Sequence, residues 1–245
     1  MPSPLTETLL VRWQPSLDYH LHRLDVLADL RTEGRLKEFL VRPDEVGVRT
    51  EAVHVTLTED ELALHPRGPL STEDTLSALR VAMRCIAPSQ YHLVLAFQFL
   101  LPVVGHSYDE ARASAIARLS LGSFSALDFA LMIDGKIDDD IWHCEVGIVS
   151  EPEVEGRLRR WSGRTRRVAG EVPAYVAVPQ EIAPVSLFAD VTWQVPDRDS
   201  RGDETADDIA GKVRGLRNEA ERMVSTLHAA LCPASLQSVT KGEDS

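Results

Sequence analysis

A strand is written twice in this chain. Tyr91 to Pro102 reads YHLVLAFQFLLP, and Val185 to Pro196 reads VSLFADVTWQVP. Aligned on their closing prolines, both copies place apolar side chains at alternate positions. Tyr91, Leu93, Leu95, Phe97, Phe99 and Leu101 match Val185, Leu187, Ala189, Val191, Trp193 and Val195. A period of two with one apolar face is the pattern of a half-buried strand. A helix pattern follows each copy, from near Ser107 and from near Asp203. The spacing therefore predicts a duplicated α+β unit.

The rest of the chain fills in around these strands. Thr8 to Gln14 reads as a first strand closed by Pro15. Leu17, Leu21, Leu24 and Ala28 then recur at helical spacing and predict a helix to about Leu30, with these leucines inward and Asp18, His22, Asp25 and Asp29 on its solvent face. Val53 to His65 reads as a hairpin turning near Glu59 and Asp60. Ser71 and Thr72 offer caps for a helix carrying Leu76, Leu79, Met83 and Ile86, which Pro88 ends. Ser107 with Glu110, and Ser150 with Glu153, have capping-box spacing. The first of these opens an alanine-rich helix to Leu119. Ala126 to Val149 predicts a hairpin with its turn at Asp134-Gly135, because glycine takes positive φ without penalty. Val154, Leu158 and Trp161 form a helical stripe, and Ala174 to Val178 a short edge strand among prolines. A final helix carries Ile209, Val213, Leu216, Ala220, Met223, Leu227 and Leu231 on one face, and Pro233 stops it. Gly211 and Gly215 within it read as marks of a close packing contact.

Two similar runs emerge, each hairpin, helix, long strand, helix. The expectation is a predominantly antiparallel sheet with helices packed on one face, of helix-grip or saddle-like form. Its first half is residues 1–122, its second half 123–232, and a polar, disordered tail is expected over 233–245. No apolar run is long enough for a helical membrane span, and MPSPLTETLLVRW lacks the basic segment and long apolar core of a secretory signal. Cys85, Cys144 and Cys232 are too widely spaced for a CxxC metal pair or a disulfide framework. A reducing cytoplasm is the expected compartment. The net charge of −12 opposes general nucleic-acid binding and favours basic partners.

Few groups of residues invite chemistry. Arg157, Arg159, Arg160, Arg164, Arg166 and Arg167 lie together with no acid among them, and arginine forks suit phosphate or carboxylate. The plainer reading is a solvated segment pairing with the protein's own acids. Asp138, Asp139 and Asp140 with His143 invite a metal, yet consecutive aspartates in a hairpin cannot converge on one ion, so a solvated turn is expected. His143 and Cys144 point to opposite faces of a strand, and Cys144 reads as core. On the polar face of the long strands, His92, Gln98, Asp190, Thr192 and Gln194 line a cavity if the final helix covers that side. Otherwise they face solvent. No nucleophile elbow, phosphate loop or dinucleotide fingerprint is present, and no cofactor or metal is expected.

The stretch SLFADVTWQV, from Ser186 to Val195, with the helix around GLRNEAERMVSTLH, from Gly215 to His228, resembles the ending of a sporadically distributed family of uncharacterised bacterial proteins. That family has a histidine where this chain has Arg217. The resemblance implies a bacterial accessory protein and no catalytic residues. The sequence thus points to a non-enzymatic adaptor, regulator or defence- or toxin-associated factor that binds a protein partner. A helix-grip protein binding or transforming a small molecule is the alternative, and a nucleic-acid or nucleotide binder working through Arg157 to Arg167 is the other. Self-association stays open at this level.

Overall fold

Among the described residues the two longest strands are β6 (Gln90–Pro102) and β9 (Val185–Asp199), and they pair with each other, antiparallel, at the centre of one sheet. The computed structural model describes residues 2–32, 36–119, 130–154, 156–157, 182–201 and 204–232. The ladder runs from Pro102 opposite Ser186 to Gln90 opposite Asp199, with one register shift between Tyr91 and Leu93. The other strands are β1 (Thr6–Arg12), β2 (Glu38–Val41), β3 (Val46–Arg49), β4 (Val53–Leu57), β5 (Glu61–Pro66), β7 (Ala130–Ile137) and β8 (Asp140–Ser150). All are antiparallel to their neighbours in the order β2-β3-β4-β5-β1-β6-β9-β8-β7. The helices are α1 (Leu17–Thr32), α2 (Glu73–Ile86), α3 (Tyr108–Arg118) and α4 (Thr205–Leu231), with a helical turn at 151–154.

This is the α+β architecture that the alternation predicts. The two runs of elements differ in strand pairing: β1 intervenes between β5 and β6, whereas β8 pairs β9 directly.

The alternate residues of each long strand explain where the core sits. Leu93, Leu95, Phe97 and Phe99 share one buried cluster with Leu187, Val191 and Trp193 of β9 and with Leu9 and Val11 of β1. The same cluster takes in Leu76, Leu79, Met83 and Ile86 of α2 and Ile209, Val213, Leu216, Ala220 and Val224 of α4. The helices therefore cover the apolar face. Fully burying Phe97 and Phe99 stabilises by roughly 1.5–3 kcal/mol each.

Charge fixes α4 on that face. Glu7 projects from β1 into the core side, where it accepts the Leu70 N–H at 2.7 Å and meets Arg217 Nε at 3.2 Å. Arg217 also meets Glu221 at 3.1 Å. Burial pushes the Glu7 carboxyl above the usual range against the pull of the Leu70 N–H and Arg217. Across the sheet, buried Asp140 of β8 pairs with Lys212. Arg80 of α2 adds Asp207 at 2.9 Å.

Several sequence expectations move. The first strand begins and ends two residues early, at Thr6 and Arg12, and Trp13 leaves it to donate its indole N–H to the Glu59 carbonyl at 2.9 Å. The hairpin β2–β3 goes unrecognised in the sequence because its runs are four residues each, around the Arg42 to Glu45 turn. The β7–β8 turn falls at Asp138 and Asp139, with Asp138 at φ 55°, and not at Asp134-Gly135. Gly135 is needed for another reason: a Cβ there would lie 2.3 Å from Cζ2 of Trp142, whose ring packs against the glycine. Asp140 is buried and ion-paired, not part of a solvated turn. A Cβ at Gly211 or Gly215 would meet nothing within 4 Å, so no close contact explains them. The 158–181 stretch, with Leu158, Trp161 and the strand expected at Ala174 to Val178, lies outside the described residues, as does the 233–245 tail.

Two outcomes follow in chemical denaturation. Arg217→Met strands the buried Glu7 carboxylate and lowers stability by about 3 kcal/mol; the double change with Glu7→Gln recovers most of it. Gly211→Ala and Gly215→Ala each raise stability by about 0.5–1 kcal/mol, because they remove glycine's unfolded-state entropy without a clash.

Candidate functional site

The face of the sheet opposite the helices is polar, and antiparallel register aligns its side chains in rows. Arg49, His54 and His65 sit opposite one another on β3, β4 and β5. Thr8 of β1 follows, its Oγ1 3.3 Å from His65 Nδ1. The row continues through Ala96 and Thr192 to His143 and Asp134. It ends on one side in the ion pair of Glu38 with Arg49 at 3.1 Å and on the other in a hydrogen bond between His143 Nδ1 and Asp134.

A second row holds Thr6, Gln98, Asp190 and Glu145. Gln98 and Asp190 are both buried, and the Gln98 amide donates to Asp190 Oδ1 at 3.2 Å. Arg157 donates to Glu145 at 3.0 Å and lays its guanidinium 3.4 Å from the Phe188 ring centroid. Beside it Phe188 packs with Val149, Val154, Leu5, Leu100 and Ile182 in a small second core. Glu153 accepts the Ser150 N–H and O–H, each at 2.7 Å, and so starts the turn that carries Val154.

The five residues expected to share a face do share it, but α4 lies on the other side of the sheet. Gln98 and Asp190 are paired with each other, Thr192 is half-buried, and Gln194 is exposed. His92 Nδ1 lies 3.6 Å from Asp197 at the sheet end. Of the six arginines, Arg157 is engaged within the fold, and Arg159, Arg160, Arg164, Arg166 and Arg167 lie outside the described residues. Among the described residues no three His, Cys, Asp or Glu side chains group as metal ligands. Cys144 is core, and burial pushes its thiol up to about 12.

Two buried histidines went unnoticed in the sequence. His54 is 2% and His65 8% exposed, although both sit on the polar face. Their ring centroids are 6.1 Å apart. Burial, helped by Arg49 at His54 and by His54 at His65, brings each imidazole down to about 4. Only the HVTL and LALH alternation could have found them, and alternation alone assigns that face to solvent.

A second surface stands apart from this face. α1 packs through Tyr19, Val26 and Leu30, which are fully buried. Leu17, Leu21 and Leu24, expected inward, are 79%, 71% and 54% exposed. Both faces of α1 are apolar, and the core takes the one that carries the aromatic. Asp18, His20, His22 and Asp25 rim the exposed stripe. His22 Nδ1 lies 2.9 Å from Asp25, and His20 3.8 Å from Glu59. At the far end Asp29 accepts from Arg84 of α2 at 2.7 Å.

No family model matches the chain, and no curated protein matches it. None of the described helices is long and apolar enough to cross a membrane.

The depressed histidines give a sign-definite pH dependence. Their neutral forms stabilise the fold fully above pH 6.5, and that stability is lost as the pH falls toward about 4, by about 3 kcal/mol per ring. Proton NMR should show both imidazoles titrating near 4, and His54→Gln with His65→Gln should flatten the acid limb of stability. Titration of either ring near 6.5 would contradict the burial argument.

Proposed function

We propose that the protein is a non-enzymatic bacterial interaction protein, an adaptor, regulator or defence- or toxin-associated accessory factor, acting in the cytoplasm. Its docking element is α1. One observation carries this reading: three leucines stand in solvent on a helix whose opposite face is fixed in the core. An apolar stripe rimmed by polar residues is the surface pattern of a protein–protein contact. The stripe lies on a regular helix, which presents anchors at fixed spacing without an ordering cost. The net charge of −12 disfavours nucleic acid as the partner.

The polar face gives less support to a ligand-binding or enzymatic role. Gln98 with Asp190, and Glu145 with Arg157, direct their hydrogen bonds to each other. The nucleotide-binding alternative starts from an arginine segment whose first member is already stacked on Phe188.

The test is co-purification of the tagged protein from its native host, wild type beside Leu17→Glu/Leu21→Glu, with protein and nucleic-acid staining of the same eluate. A stoichiometric protein lost in the variant is expected. Retention of that protein by the variant removes α1 from the docking role. An eluate carrying nucleic acid instead supports the arginine segment.

A further inference from the structure

We draw no further inference here: the strongest candidate, the buried pair of His54 and His65 that face each other across β4 and β5, belongs to the site already described, and among the described residues no third His, Cys, Asp or Glu side chain joins it to hold a metal.

Discussion

The ladder between β6 and β9 is the constraint on which the rest of the molecule depends. Leu93 and Val195 are partners across it, although about two-fifths of the sequence separates them. Neither strand can satisfy its backbone alone, because each would leave a long row of N–H and C=O groups unpaired. Once they pair, the two apolar faces merge into one surface too wide for a single helix. α2 and α4 then share its cover. The long sequence separation also places the pairing among the non-local contacts that slow folding. The two halves of the chain are thus joined by hydrogen bonds rather than by docking of finished units.

Buried charge then decides how the cover sits. Apolar packing alone would let α4 slide along the sheet, since Ile209, Val213, Leu216 and Ala220 repeat at similar spacing. Glu7 and Asp140 stand on strands far apart in the sheet, and each takes a different cation of α4. Only one helix position serves both. Such pairs add little net stability over apolar replacements, but they penalise every other register. The polar face shows the same preference for internal closure: Gln98 with Asp190 and Glu145 with Arg157 form pairs there.

The elements with a strong period were legible in the sequence: both long strands, α2, the capping box that opens α3, and α4. What misled was residues whose reason lay in tertiary contact. Gly135 reads as a turn residue, yet the Trp142 ring needs the space. Arg217 reads as one charge among many on a helix, yet it answers a carboxylate from β1. The leucines of α1 give a more regular stripe than Tyr19, Val26 and Leu30, so periodicity chose the outer face as the inner one. His54 and His65 alternate like solvent-facing residues, and no local pattern announces that they are buried. The five residues of the polar face were correctly grouped by alternation, while the side on which α4 would lie was left open.

Among the described residues β2 and β7 each pair on one side only, and together they set the size of the sheet. A free strand edge is a template for further strands. β2 ends after four residues, with Pro43 just beyond it, and offers too short a ladder to hold an incoming chain. β7 is longer, but Asp134 and Lys136 project from it on the same face, Asp134 hydrogen-bonded to His143 and Lys136 paired with Asp139. A tenth strand would have to strip water from those pairs while gaining only backbone bonds. Among the described residues both ends of the nine-stranded sheet are poor templates, one too short and the other guarded by paired charge.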